Sequence, residues 1–443
     1  MKRLFGTDGV RGLANVELTT EMAFGLARSA GDGRVGTAVV GRDTRRSGQM
    51  LAAAVQAGFN AAGFDTTDLG IIPVGAVSEL TRATNATFGV MVSASHNPAA
   101  DNGIKFFGPD GAKLDDEREA SIEGRYRSDA PWAEVQGEDV GIQVPMPDAL
   151  DRYVSRLESQ ADYRLAGISV VLDCANGAAF RAAPELFRRL GADVEAINAE
   201  PSGMNINDGC GAVHPGMLAT RVAGRIGLAF DGDADRCIAV DEEGVVCNGD
   251  GIMAILARHL KSRDRLPGNR VISTVMSNLG FRRAMQALGL EMVETPVGDR
   301  YVLEQMRLTG AGLGGEQSGH VLFREHATGD GLLTGMRLLE VVAATGTSLR
   351  ELRRVMVDYP QVLRNVQVRV KERLPDAVPV WEAVRRMEKR LGDQGRVLVR
   401  ASGTEPLVRV MVEAREGHEA AAIADDLVLV VRRELGGVAG DLG

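Results

Sequence analysis

Met91-Val92-Ser93-Ala94-Ser95-His96-Asn97-Pro98, followed by Asp101-Asn102-Gly103-Ile104-Lys105, is the stretch around which the chain is organised. The apolar run 88–92 reads as a buried strand that stops abruptly at small and polar residues. Pro98 and Gly103 keep the next segment out of a regular helix. A hydroxyl, an imidazole and an amide are therefore expected on a loop at a strand's carboxyl end. Ser95 is the first candidate for chemistry there.

Outward from that loop, strands are predicted at 35–40, 64–69 and 86–92, with helices from Ser47 to about 60 and from Pro73 to about 81. This βαβαβ order is that of a parallel sheet covered by helices. Segment 130–147, with three prolines, reads as a linker. The order then returns with strands at 168–172, 193–198 and 226–230, and again at 270–274, 290–294 and 311–314. Beyond these lie strands at 366–370, 396–399 and 407–412 and helices at 377–391 and 418–435. The expected fold class is α/β: three successive βαβαβ-type mixed-sheet domains and a smaller C-terminal α+β domain. The expected limits are 1–148, 149–247, 248–364 and 365–443.

The third strand of each repeat ends in unusual residues. These are Ser93 to Asn97 in the first, Asp231-Gly232-Asp233-Ala234-Asp235-Arg236 in the second, and Gly315-Glu316-Gln317-Ser318-Gly319-His320 in the third. Open α/β sheets bind ligands at the carboxyl ends of their strands, so three such loops can surround one central cleft.

Composition narrows the function. With 44% hydrophobic and 25% charged residues, the chain reads as a soluble globular protein. No apolar run approaches the ~20 residues of a membrane span, and the N-terminus turns polar too early for a signal peptide. Cys174, Cys210, Cys237 and Cys247 lack metal or redox spacing and read as reduced thiols of a cytoplasmic protein. A net charge of −9 argues against a nucleic-acid partner. It leaves room for a small anionic substrate if the site gathers its own cations.

Asp231, Asp233 and Asp235, taken as an extended segment, put three carboxylates where one hard cation such as Mg²⁺ can bind. An EF-hand would begin alike and finds Glu242 at its twelfth place, but Arg236 stands where that loop needs glycine. Beside such a metal site, Ser95 makes sense as a phosphoryl carrier, with Lys105 as a base or a charge clamp. Glu316 and Ser318 suit sugar hydroxyls, and His320 is a candidate proton shuttle. Arg400-Ala401-Ser402-Gly403-Thr404-Glu405-Pro406, with Arg409, forms a phosphate cradle. Its small residues admit an anion, its hydroxyls donate, and its arginines pair with the oxygens.

Together these four motifs, in this order, resemble the α-D-phosphohexomutase superfamily over essentially the whole chain. Phe5 to Gly12, Asn205 to Gly211, Val297 to Tyr301 and Gln317 point to its amino-sugar branch. The resemblance implies four domains around a central cleft in a bacterial cytoplasmic enzyme, often a homodimer, that converts glucosamine 6-phosphate to glucosamine 1-phosphate for UDP-N-acetylglucosamine synthesis. The alternative is the phosphomannomutase and phosphoglucomutase branch. The superfamily resemblance also implies phosphorylation of Ser95, Mg²⁺ on Asp231, Asp233 and Asp235 with the serine phosphate, and a hexosamine or hexose 1,6-bisphosphate activator. Glu316 and Ser318 would hold the sugar, and Arg400, Ser402, Gly403, Thr404 and Arg409 its distal phosphate. Arg11, Lys105, Arg236, Arg400 and Arg409 would focus positive potential on the substrate. Asp299 is expected to favour the 2-ammonium group. Ala234 departs from the glycine more usual in the family.

Overall fold

The computed structural model describes residues 3–6, 8–402 and 405–437. The chain divides into two compact units, Met1–Met276 with Gly289–Val355, and Ser277–Leu288 with Met356–Gly443.

The first unit holds three mixed sheets. The first is made of β1 (Val10–Leu13), β2 (Thr37–Arg42), β3 (Asp65–Ile71), β4 (Phe88–Val92), β5 (Asp101–Phe107) and β6 (Gln143–Pro145), in the order β1-β5-β4-β2-β3-β6. Strands β2, β3, β4 and β6 are parallel to their neighbours among themselves, while β5 runs antiparallel to β4 and β1. The second comprises β7 (Ser169–Asp173), β8 (Asp193–Ile197), β9 (Ile226–Phe230), β10 (Cys237–Val240) and β11 (Val246–Cys247), ordered β11-β10-β9-β7-β8. The third comprises β12 (Arg270–Thr274), β13 (Glu291–Thr295), β14 (Leu313–Gly315) and β15 (Val321–Phe323), ordered β13-β12-β14-β15.

The three repeats share more than parallel strands. In each, the third parallel strand (β4, β9 or β14) turns into an antiparallel partner (β5, β10 or β15). The loops at residues 93–100, 231–236 and 316–320 are the links of these turns. Sequence periodicity missed the returning strands. Strand β5 is buried on both faces apart from Asp101, so it shows no alternation, and Asn102 and Gly103 within it read as a loop. The 130–147 segment is likewise not only a linker, since it supplies β6 to the sheet edge, where Pro145 removes no needed donor. The helices Gly249–Ser262 and Gly331–Thr345 were also missed. Both are so largely buried that no polar stripe marks a helical period.

The core of the first sheet gathers scarce aromatics. Phe59 lies 5.5 Å from Phe64 and 5.6 Å from Phe88, centroid to centroid. Helix Asp116–Tyr126 covers this core, capped by Asp115, whose carboxylate accepts the Arg118 N–H.

The second unit has β16 (Gln361–Gln367), β17 (Gly395–Ala401) and β18 (Leu407–Ala414) in an antiparallel sheet ordered β16-β18-β17. Helices Val378–Leu391 and Gly417–Leu435 bury Val380, Ile423 and Leu427 in the same core as Val399 and Val410. The first strand lies earlier than the expected 366–370, and a 3-10 turn at Lys371–Asp376 comes after it. The four cysteines are buried free thiols. Among the described residues no helix is long and apolar enough to cross a membrane.

Candidate active site

Ser95 stands at φ +51°, a left-handed conformation unusual for a side chain with a Cβ, and is 1% exposed. Its Oγ donates to Asp231 Oδ2 at 2.7 Å and lies 3.3 Å from His96 Nδ1. The motif from the first repeat therefore meets the motif from the second. Ser95 N–H donates to Ser93 Oγ (2.9 Å), and Ser93 donates to Asp43 (2.6 Å). Burial pushes the His96 imidazole down to about 4, helped by the Arg236 and Arg11 charges, so it is neutral.

Asp231, Asp233 and Asp235 are buried, and one carboxylate oxygen of each lies within 4.8 Å of the others. They converge through a turn and not along an extended segment. Ala234 N–H donates to the Asp231 carbonyl (3.0 Å), and Ala234 sits at φ +61°. That angle explains why glycine would suit position 234; with alanine there the three carboxylates converge. Asp233 Oδ1 and Asp235 Oδ1 are buried without a hydrogen-bond partner among the described residues. Two buried carboxylate oxygens left open beside a third carboxylate fit an oxygen-seeking divalent cation. Glu242, the would-be twelfth EF-hand ligand, instead accepts the Leu349 and Arg350 N–H groups at 2.9 Å each.

Strand β5 puts Lys105 opposite Met91, and its Nζ reaches Asp233 Oδ2 and Asp8 Oδ2, both at 2.8 Å. Burial opposes its charge, but Asp233, Asp8 and Asp235 outweigh burial and raise it above an ordinary lysine. Lys105 is thus an ion-paired cation in this state. Arg236 lies 3.7 Å from Asp235, and its N–H donates to Asp231 Oδ1 (3.2 Å).

His320 stands between two carboxylates, Asp235 at 3.4 Å from Nδ1 and Asp299 at 3.5 Å from Nε2. Burial would lower its pKa, yet these charges raise it to about 9, so it is an imidazolium here rather than a shuttle poised near neutrality. The expectation that Asp299 awaits an ammonium group is also corrected. Lys113 Nζ already lies 2.6 Å from Asp299 Oδ2 and pairs with Asp8 as well. Asp8 in turn pairs with Arg11, whose Nη1 donates to Asn97 Oδ1 (3.2 Å). A ring of alternating charge results: Asp8, Lys113, Asp299, His320, Asp235, Lys105 and back to Asp8. Sequence reasoning missed Lys113 altogether, because a lysine on a polar loop carries no motif.

Beside the ring, Glu316 Oε1 accepts the Gly298 N–H (3.0 Å), and Ser318 Oγ donates to Glu316 Oε2 (3.2 Å). The carboxylate keeps acceptor capacity for hydroxyl groups.

The second unit carries the arginine cradle. Arg400 and Arg409 are directly opposite on β17 and β18, and the Nε of each is buried with no hydrogen-bond partner among the described residues. Like charges opposed on a sheet repel. Burial, then Arg409, lowers the Arg400 pKa, as expected where an anion would relieve the strain. Ser402 is buried, and Lys371, absent from the sequence reading, donates to the Ser402 and Glu405 carbonyls at 2.6 and 2.9 Å. Gly403 and Thr404 lie outside the described residues.

Comparison with known proteins agrees with this geometry. Models of the phosphoglucomutase/phosphomannomutase family match in order: alpha/beta/alpha domains I, II and III at residues 2–131, 151–244 and 248–359, and the C-terminal domain at 365–430. A phosphoglucosamine mutase of Desulforamulus reducens is 48% identical over 441 residues, covering 97% of this chain and 99% of the relative. Another, of Streptomyces coelicolor, is 50% identical over 452 residues, covering 98% and 100%. A phosphoglucomutase/phosphomannomutase family protein of Burkholderia thailandensis superposes with TM-score 0.81 at 26% identity, over 98% of both chains. Aspergillus fumigatus N-acetylphosphoglucosamine mutase, solved with GlcNAc-6P and magnesium, shares the fold with TM-score 0.68 at 20% identity, over 98% of this chain and 96% of that one. With all four domains in order and about half of its residues shared end to end with such relatives, the chain belongs to the phosphoglucosamine mutase family.

Proposed function

We propose that the protein interconverts glucosamine 6-phosphate and glucosamine 1-phosphate through a phosphate carried on Ser95. The observation that carries this is Ser95 Oγ 2.7 Å from Asp231, beside two buried carboxylate oxygens that have no hydrogen-bond partner among the described residues. In the first half-reaction the Ser95 Oγ–P bond breaks and the sugar O1–P bond forms. One proton passes from the sugar hydroxyl to Ser95 Oγ, leaving a 1,6-bisphosphate. After reorientation of that intermediate, Ser95 Oγ takes the 6-phosphate and O6 takes the proton. Neither half-reaction consumes anything else, and a 1,6-bisphosphate of a hexose or hexosamine would prime Ser95.

Asp231, Asp233 and Asp235 would hold Mg²⁺, which neutralises phosphoryl charge when bound. Lys105, Arg236 and His320, all cationic here, would clamp the transferring group, and Arg11 would hold the loop's Asn97 and the substrate. Glu316 and Ser318 would read sugar hydroxyls. Arg400, Ser402, Gly403, Thr404 and Arg409 would take the distal phosphate, supported by the Nε groups of Arg400 and Arg409, which are unpartnered among the described residues. The domain limits 1–148, 149–247, 248–364 and 365–443, a homodimer and a cytoplasmic location remain part of this proposal.

The domain models are named for glucose and mannose phosphates, which keeps a second substrate class in view. Parallel assays on glucosamine, glucose and mannose 6-phosphates, with glucose 1,6-bisphosphate present, decide between them. Faster turnover of glucosamine 6-phosphate is expected. Equal or better turnover of either other sugar would overturn the amino-sugar assignment.

A further inference from the structure

The left-handed backbone at Ser95 persists only if its surroundings over-determine it. They do, from two sides. Arg45 is fully buried, and all five of its guanidinium N–H donors are used. Nε donates to Asp43 (2.9 Å), Nη1 to the carbonyls of Pro98 and Asp101, and Nη2 to those of Ser95 (2.9 Å) and Asn97 (2.8 Å). Asn207, from the 205–211 stretch, donates through Nδ2 to the same Ser95 and Asn97 carbonyls, at 2.9 and 3.2 Å. Each carbonyl thus takes one bond from each clamp. The Asp43 carboxylate also holds Ser93 Oγ, which accepts the Ser95 N–H. Both backbone polar groups of Ser95 are engaged, and only its side chain is left to rotate.

We propose that Arg45 and Asn207 are positioning residues for phosphoryl transfer, fixing the 95–98 backbone so that Ser95 Oγ faces Asp231 in both half-reactions. This rests on Ser95 being the carrier. Both side chains hold the loop through its backbone carbonyls. Both act by keeping the oxygen in line with the sugar hydroxyl, where a displacement near 1 Å costs about 100-fold in rate. Lysine at position 45 keeps a charge against Asp43 but offers three donors for five acceptors. Leucine at position 207 keeps the shape and removes both donors, and the Asn207 Oδ1 it also removes has no partner among the described residues.

The test uses the full-length enzyme phosphorylated with glucose 1,6-bisphosphate, as wild type, Arg45→Lys and Asn207→Leu. Steady-state constants for glucosamine 6-phosphate and the partition of serine phosphate between sugar and water are measured per folded molecule. The expected result is a kcat lowered about 100-fold in Arg45→Lys and about 10-fold in Asn207→Leu, with KM within about twofold of wild type. A larger share of phosphate is released to water in both. A merely structural role would lower the folded fraction and leave kcat per folded molecule and the partition unchanged, which overturns the proposal. If Arg45→Lys does not fold, Asn207→Leu alone decides. Should wild type carry no phosphate on Ser95, the carrier assignment fails first, and that outcome is separate from labelled variants that turn over normally.

Discussion

Lys113 Nζ and Asp299 Oδ2 are 2.6 Å apart, and the pair closes a ring of charges that runs through His320, Asp235, Lys105 and Asp8. The lysine is held as a cation, because Asp299 and Asp8 outweigh the burial that opposes its charge. Removing one member of a buried pair leaves its partner uncompensated, at a cost of about 3 kcal/mol. Lys113→Met should therefore lower the thermal midpoint markedly, and Lys113→Met with Asp299→Asn should recover part of the loss. Additive losses in the double variant would show that the two residues are not coupled.

Gly232 lies where the second repeat's loop meets the first. A Cβ there would stand 2.4 Å from the Ser95 carbonyl and 2.9 Å from Asn207 Nδ2. Gly232→Ala is expected to push Ser95 away from Asp231 and lower kcat about 100-fold. Unchanged turnover in this variant would mean that Ser95 does not need its present position.

The three aspartates predict a stability effect that needs no substrate. Ligand at 100 times its dissociation constant stabilises by about 2.7 kcal/mol. Mg²⁺ should therefore raise the thermal midpoint of wild type, a chelator should reverse the shift, and Asp233→Asn should abolish it. Equal shifts in wild type and variant would place the metal elsewhere.

Asp330 caps helix Gly331–Thr345 through the Leu333 N–H and accepts the Tyr153 hydroxyl at 2.8 Å. Burial raises its pKa from 3.8 to about 6. The folded state therefore binds a proton that the unfolded chain releases, and this carboxyl reduces stability as pH rises from about 4 to about 6. Two pKa units correspond to about 3 kcal/mol. Asp330→Asn removes the titration, so its midpoint relative to wild type should rise between pH 4 and pH 7. A difference that stays constant with pH would contradict the shift.

The sequence showed the parallel strands and the three loops because alternating helices and β-rich runs mark them, and because Ser95, Asp231 and Glu316 stand where apolar runs end. Strands β5, β10 and β15 escaped because they are buried on both faces or only a few residues long. Their absence hid why the loops converge, since each loop is the turn into one of them. Single-residue readings failed where charge is settled by distant partners. Asp299 looked open because Lys113 is 186 residues away, and His320 looked titratable because Asp235 and Asp299 come from other loops. Arg45 and Asn207 sit in polar stretches whose role appears only once five carbonyl and carboxylate acceptors gather around one guanidinium.

The central claim is that Ser95 gives one phosphate to the sugar and takes back another. A single turnover with enzyme labelled at Ser95 and unlabelled glucosamine 6-phosphate tests it most directly. The account predicts label on O1 of the glucosamine 1-phosphate formed, and an enzyme that ends phosphorylated but unlabelled. Label remaining on Ser95 while product forms, or released as inorganic phosphate, would contradict it.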